Sequence, residues 1–449
     1  MTIASTDQYF TIAVILYEIV NVTPMNPSDS SAQRVPRAEQ PKVPAFELKA
    51  PSRPPSVTTD DRRRLAPLRK SHRDLPWPSF ECVALVLQGG GALGAYQAGV
   101  YQALLEANLQ PNWVSGISIG AINAALIAGN APEQQLEKLH AFWNLVSMPR
   151  FSLGLEDHWL RGDLARSFVN RLNASAVALN GVGGFFAPRR PPPYLFPPGM
   201  LEATSWYDTA SLGTTLEQLV DFDRLNNSAI RFSVGAVNIR TGNFTVFDST
   251  THTIRPEHIM ASGALPPGFP PIEVDSELYW DGGLVSNTPL QWVVAGDTRL
   301  DTLAFQIDLW SARGDIPADL NDVMMRQKEI QYSSRTRAYT DQFRAIQRVR
   351  TALANIIDKL PPEVLDSDDG QRLRIAADKR VYKIVHLIYR SKRYEVQSKD
   401  YEFSRTSMTE HWTAGYQDAV RTLRHPEALE RPTDRQGVAT FDLGVDGRE

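Results

Sequence analysis

Three short runs in this 449-residue chain carry residues that can do chemistry, and their order matters more than any one of them. The first is Gly89-Gly90-Gly91-Ala-Leu-Gly94, after an apolar run and ahead of a helical pattern. Backbone N–H groups at such a turn face outward together, backed by the positive end of the helix dipole. That makes a site for negative charge, either a bound phosphate or a transient oxyanion. The second is Gly116-Ile-Ser118-Ile-Gly120, a G-x-S-x-G pattern between an expected strand and an expected helix. Its serine would sit on a tight turn, with glycines two residues before and after letting strand and helix approach. The third is Asp281-Gly282-Gly283 after a short apolar run, where a carboxylate at a strand end is unobstructed by neighbouring side chains. A serine hydroxyl is a poor nucleophile without a base, and Asp281 supplies one.

Each run has a plainer explanation when taken singly. Glycines 89, 91 and 94 also satisfy the dinucleotide fingerprint, but that reading needs an acidic residue roughly 20 residues on, at the end of the second strand. That strand, Trp113-Val-Ser-Gly, meets no Asp or Glu. Ser118 could simply cap a helix, and Asp-Gly is an ordinary turn signal. A Ser–His–Asp triad is the mechanistic rival to a Ser–Asp dyad. It needs a histidine after Asp281, and His386, His411 and His425 are available. His386 lies in an apolar run and His411 in an amphipathic pattern, so each has a structural explanation and the dyad is preferred.

The elements that must hold these runs are legible in the hydrophobic pattern. Val83-Ala-Leu-Val-Leu reads as a buried parallel strand, and Ala92 to Leu109 as a helix carrying Leu93, Tyr96, Val100 and Leu104. Trp113 to Ser115 and then Ile119 to Ala128 repeat the strand-to-helix order, a βαβα unit that argues a parallel sheet. Ser233 to Ile239 and Asn243 to Phe247 read as a strand pair around Thr241-Gly242, and Leu303 to Leu309 as another buried strand. Further on, Tyr339, Phe343, Ile346, Val349, Leu353, Ile356 and Leu360 mark an amphipathic helix with Arg344, Arg348 and Arg350 on its exposed side. Val385 to Tyr389 reads as a strand. Ser407 and Glu410 form a capping-box signature for a helix ended by His425-Pro426.

Residues 1–78 read as a disordered leader, 79–310 as a catalytic domain with 150–206 as a lid or insertion, and 311–449 as a helical C-terminal extension packed on it. Phe10 to Val22 is apolar but contains Glu18, has no basic start and is too short to span a bilayer. A later start at Met25 is favoured over an export signal or a docked segment. The cluster Arg62, Arg63, Arg64, Arg69, Lys70 and Arg73 could touch anionic lipid at a membrane periphery, but flanking acids favour a solvated charge run. The net charge of −4 gives no reason to expect nucleic acid. The single cysteine, Cys82, leads into a strand and reads as a core residue; with no intrachain disulfide available, a cytoplasmic protein is expected. Zinc-type Cys/His pairs are absent from the sequence.

Taken together, the order Gly-Gly-Gly-x-x-Gly, Gly-x-Ser-x-Gly, Asp-Gly-Gly resembles that of the patatin-like phospholipases. The likeness extends to Ala261-Ser-Gly-Ala-Leu-Pro-Pro-Gly-Phe-Pro-Pro and to Asn287-Thr-Pro289, and covers about residues 82–310. The tail from about Asp378 resembles a C-terminal extension of some bacterial patatin-like proteins. The resemblance implies a three-layer α/β/α fold with a central, mostly parallel sheet. It also implies a serine lipid acyl hydrolase working through an acyl-enzyme, with Ser118 as nucleophile, Asp281 as base, and Gly89, Gly90 and Gly91 as the oxyanion hole. Gly94, Gly116, Gly120, Gly282 and Gly283 support these motifs, and neither metal nor organic cofactor is implied. One departure is Leu93, where many family members carry Arg; without that cation, backbone amides become the main oxyanion donors. Alternatives are an esterase or thioesterase of short (hydroxy)acyl substrates and a non-catalytic, patatin-shaped lipid-binding protein.

Overall fold

The computed structural model describes residues 67–147, 163–295, 299–333, 336–357, 359–392, 394–395, 397–434 and 436–443. The N-terminal apolar run, the Met25 start, Arg62 to Arg64 and residues 150–162 of the expected lid lie outside the described residues.

Strand β1 (Cys82–Leu87) shows why the chain layers as it does. Its side chains alternate between two buried faces: Val83, Leu85 and Leu87 join one hydrophobic core, and Cys82, Ala84 and Val86 join another. A sheet buried on both faces needs helices on both, which gives a three-layer α/β/α sandwich. The other strands of the sheet are β2 (Trp113–Gly116), β3 (Arg231–Asn238), β4 (Phe244–Asp248), β5 (Ile272–Val274), β6 (Glu277–Asp281), β7 (Thr302–Asp308), β8 (Tyr382–Ile388) and β9 (Val438–Phe441). Their spatial order is β9-β8-β7-β1-β2-β3-β6-β5, with β4 also paired to β3. The run from β9 to β3 is parallel, whereas β4, β5 and β6 pair antiparallel.

Helices α1 (Ala95–Glu106), α2 (Ile119–Ala128) and α3 (Pro132–Leu145) cover the first face through Tyr96, Ile122 and Phe142. Beyond helical stretches at Asp163–Asn180, Ala210–Leu219 and Phe222–Asn227 come two short helices, α4 (Pro256–Ser262) and α5 (Leu290–Ala295), then α6 (Leu320–Tyr332) and α7 (Thr336–Ile357). The second face is covered by Leu290 and Val293 of α5 and Phe343 of α7. Helix α8 (Arg405–Leu423) returns to the first face and lies along α1. The two backbones touch: a Cβ on Gly99 would lie 1.9 Å from the Trp412 carbonyl, and one on Gly415 would lie 2.0 Å from that of Tyr96.

The structure differs from the sequence-based expectations in four places. The strand expected from Val385 starts at Tyr382 and joins the central sheet as β8, in register with β7 from Tyr382↔Thr302 to Ile388↔Asp308. Helix α8 begins three residues earlier than the Ser407 signature predicts: Ser404 is the cap, and its hydroxyl accepts from the Ser407 N–H at 3.2 Å. On α7 the apolar stripe is only partly the buried one. Phe343, Gln347 and Ala354 face inward while Val349 and Ile356 are exposed, because Gln347 donates to the carbonyls of Asp378 and Arg380. Residues 67–78, which composition assigns to a leader, are packed. Leu75 is in the first core, and the N–H groups of Asp74 and Leu75 donate to Glu106 and Ala107 at 3.2 and 3.1 Å.

Within 163–206, Phe185 and Phe186 belong to an aromatic cluster with Phe269 and Phe403, while Tyr194, Leu195 and Trp206 are exposed. No helix among the described residues is long and apolar enough to cross a membrane. Packing at Leu75 gives a direct test. Leu75→Ala is expected to lower stability by about 2 kcal/mol in urea unfolding, and a chain starting at residue 79 should melt below one starting at 67.

Candidate active site

The sheet brings the three runs to one height. Leu87 of β1 pairs with Gly116 of β2, Gly116 pairs with Val234 of β3, and Asp281, the last residue of β6, pairs with Ala236. Ser118, two residues past Gly116, therefore stands level with Asp281. Between β2 and α2 the chain turns so sharply that Ser118 takes φ 55° and ψ −124°, a backbone conformation a serine adopts only when its surroundings force it. The flanking glycines permit the turn: a Cβ on Gly116 would lie 2.2 Å from the Gly120 carbonyl, and one on Gly120 2.4 Å from that of Leu87. The Ser118 N–H is held by Ser262 at the end of α4, through both its carbonyl and its hydroxyl at 3.1 Å.

The Ser118 hydroxyl interacts with the Asp281 carboxyl and favours its charged form. Gly283 closes the other side, its N–H donating to Asp281 Oδ1 at 2.7 Å. Asp281 is 2% exposed. Burial disfavours the charged form and pushes the carboxyl from 3.8 up to about 7, with the Gly283 and Ser118 bonds offsetting it only in part.

The glycine turn sits beside the serine, but its three amides are not equivalent. Gly89 N–H donates to the Asn287 carbonyl at 3.3 Å, and its own carbonyl accepts from Asn287 Nδ2 and Trp310 Nε1 at 3.1 and 3.0 Å. Ala92 N–H donates to the Asp400 carbonyl at 2.8 Å. Among the described residues, the N–H groups of Gly90 and Gly91 have no acceptor. Gly89 contributes room: a Cβ there would lie 2.4 Å from Asn287 Oδ1 and 3.0 Å from Ser118 Cβ. Gly94 ends the turn against Ile119 of α2, and Gly282 and Gly283 open a short 3-10 turn capped by Asp281.

Several residues that hold this arrangement have no motif to announce them. Gln88, fully buried, spans four groups: its Oε1 accepts from the N–H of Leu309 and Trp310 at 2.6 and 2.9 Å. Its Nε2 donates to Thr288 Oγ1 and the Tyr332 carbonyl at 3.0 and 3.2 Å. Only its place, between a buried strand and a glycine run, hints at such a role. Trp310 and Asp400 carry no comparable signal.

The three candidate triad histidines sit among partners of their own. His411 pairs with Glu395 at 3.3 Å, His425 lies against Phe441, and His386 faces Gln306 in the β7–β8 ladder. A cavity of about 1550 Å³ opens beside Trp310 and is lined by Arg313, His386 and Arg390 among others, but not by the serine or the aspartate. Among the described residues no group of three or more His, Cys, Asp or Glu side chains is placed to hold a metal ion. Cys82 is buried, and desolvation pushes its thiol up to about 11.

Leu93 is fully buried in the first core rather than facing the turn's polar side. Leu93→Arg is therefore expected to bury an unpaired charge, lowering stability by about 3–5 kcal/mol without altering preference between anionic and neutral esters; a melting curve and a two-substrate comparison check both. Asp281 sets a second expectation. Its carboxyl is protonated in the native state and ionised in the unfolded chain between 3.8 and about 7. Its contribution to stability is thus fully present below 3.8 and is lost as pH rises to about 7. Urea unfolding of wild type should show that decline, and Asp281→Asn should lack it.

Comparison with known proteins adds to this geometry. A family model described as patatin-like phospholipase matches residues 85–293, and a second, described as patatin phospholipase, matches residues 330–435. A segment of 101 residues is 33% identical to triacylglycerol lipase 3 of Saccharomyces cerevisiae, over 20% of this chain and 16% of that protein. Over 76 residues the chain is 53% identical to lysophospholipase nte1 of Aspergillus terreus, covering 16% of this chain and 5% of that one. The chain thus spans only a small part of the length of these curated relatives. VipD from Legionella pneumophila superposes with a TM-score of 0.35 at 15% identity, over 82% of this chain and 72% of that one, a likeness too loose to inform the fold.

Proposed function

Because the chain belongs to the patatin-like phospholipase family, we propose that it is a serine hydrolase of carboxylic esters, acting on lipids through a Ser118–Asp281 dyad. The observation that carries this reading is a serine on a strained turn that the sheet register sets level with a buried carboxyl, one that burial pushes up to about 7. A base poised near the working pH balances availability against basicity.

In the proposed reaction Asp281 takes the Ser118 proton as Oγ bonds to the ester carbonyl carbon. The carbonyl π electrons move to oxygen, and the N–H groups of Gly90 and Gly91 receive the resulting oxyanion. Collapse breaks the bond to the alcohol, which leaves with the proton from Asp281, and the acyl group stays on Ser118. Water then attacks the acyl carbon while Asp281 takes its proton. The second oxyanion collapses, Ser118 regains its proton, and the carboxylic acid departs. Each step uses only the chain's own groups, and a protein that merely binds lipid has no use for a serine held at positive φ. Lipid esters are the proposed substrate class, since both relatives, a triacylglycerol lipase and a lysophospholipase, are named for lipid hydrolysis. A peripheral encounter with lipid surfaces from the cytoplasmic side completes the proposal.

The test is a panel of short-chain esters and phospholipids on purified protein. Ser118→Ala and Asp281→Asn are each expected to lower hydrolysis by on the order of a thousandfold or more, and Ser118→Ala should leave the melting temperature nearly unchanged. For wild type, kcat/KM should rise with pH through about 7 as Asp281 ionises. A fluorophosphonate should label wild type and not Ser118→Ala. Full activity in Asp281→Asn, with loss in His386→Ala or His411→Ala, would establish a triad instead.

A further inference from the structure

The segment around residue 400 lies in the C-terminal region, far from Ser118 in sequence, yet it touches the glycine turn directly. The Asp400 carbonyl accepts the Ala92 N–H at 2.8 Å. Gly91 is at φ +54°, and a Cβ there would lie 2.0 Å from the same carbonyl oxygen, so the turn and the segment fit only because residue 91 is glycine. Asp400 is itself pinned. Two adjacent residues of α6, Lys328 and Glu329, pair with two adjacent residues of the segment in opposite sense: Lys328 Nζ with Asp400 Oδ1 at 2.8 Å, and Glu329 Oε1 with Lys399 Nζ at 2.9 Å. Lys328 Nζ also donates to the Gln397 carbonyl at 3.0 Å. The Lys399 ammonium lies 4.9 Å from the Trp310 ring centroid, and that indole donates to the Gly89 carbonyl at 3.0 Å. The end of α6 closes the circuit, since the Tyr332 carbonyl accepts from Asn287 Nδ2 at 2.8 Å.

We infer that this crossed pair of ion pairs is a clamp that positions the oxyanion turn, with Lys328 and Asp400 as positioning residues and the C-terminal extension as a working part of the active site. The inference rests on the oxyanion role proposed above for Gly90 and Gly91. By engaging the Ala92 N–H on one side and the Gly89 carbonyl on the other, the clamp fixes the peptide planes between them. Fixed donors help only where charge develops, so loosening them should slow turnover more than it weakens substrate binding.

The Lys328–Asp400 pair is the usable handle, because its side chains keep 29% and 21% of their exposure whereas Lys399 and Glu329 are nearly fully buried. Hydrolysis of p-nitrophenyl butyrate is measured for wild type, Ser118→Ala, Lys328→Glu, Asp400→Lys, the double exchange and Lys328→Arg. Each single reversal is expected to lower kcat by roughly tenfold to a hundredfold, with KM and the melting temperature little changed. Lys328→Arg and the double exchange should regain most of the loss. Wild-type kcat in both reversals, a rise in KM alone, or a double exchange no better than the singles overturns the clamp. Should a reversal fail to fold, Asp400→Asn is read by its rate of fluorophosphonate labelling: slowed labelling supports the clamp, and the wild-type rate overturns it. Turnover by Ser118→Ala would instead sink the reading of the site itself, a result separate from any clamp variant.

Discussion

β1 is bonded along its whole length to β7 on one side and over four residues to β2 on the other, and both its faces are buried. Its carbonyl end can therefore neither twist nor shift without disturbing two ladders and two cores. Gln88 and the glycine turn leave from that end, and Ser118 leaves from the same end of β2. The relative placement of the turn and the serine is thus a property of sheet register rather than of loop conformation. Asp281 arrives from a strand running the other way, with its height set by the Ala236 pairing.

Such a frame supports groups that would otherwise be costly. A serine at positive φ and a carboxyl with 2% exposure each weigh against folding, and the first and second cores offset them. Both costs fall on the two residues proposed to react, and the burial that raises the Asp281 carboxyl would also make it a better proton acceptor once ionised. Gly283 and Ser118 offset part of that shift.

The candidate site was more legible in the sequence than the scaffolding around it. Ser118 and Asp281 stand in local runs whose glycines have local reasons, and β1, α2 and β7 follow from unbroken apolar segments. The partners of the glycine turn are different. Gln88, Ser262, Trp310 and Asp400 act through a few polar atoms meeting across long stretches of chain, 222 residues for Gln88 and Trp310, and no periodicity encodes such a meeting. Leu75 shows the opposite limit: composition places it in a polar leader, yet the segment docks through Leu75, through bonds that join Arg69 to Leu423 and Arg424, and through His72 on Glu106. On α7 the apolar stripe misleads in part, because a buried glutamine that bonds two carbonyls shares the inward face with Phe343.

The crossing of α1 and α8 bears on how the molecule is made. Gln102 and Trp412, which share a hydrogen bond across it, are 310 residues apart in the chain. At the usual pace of synthesis, about 5–20 residues per second, α1 leaves the ribosome tens of seconds before the helix that covers it. β1 waits too, with β2 on one edge and the β7 edge still open. During that interval an apolar strand with one unpaired edge and a grooved helix face are available to any other chain. The nascent protein is thus a natural client for chaperones that shield hydrophobic surface, and slow translation across residues 310–400 would lengthen its dependence on them.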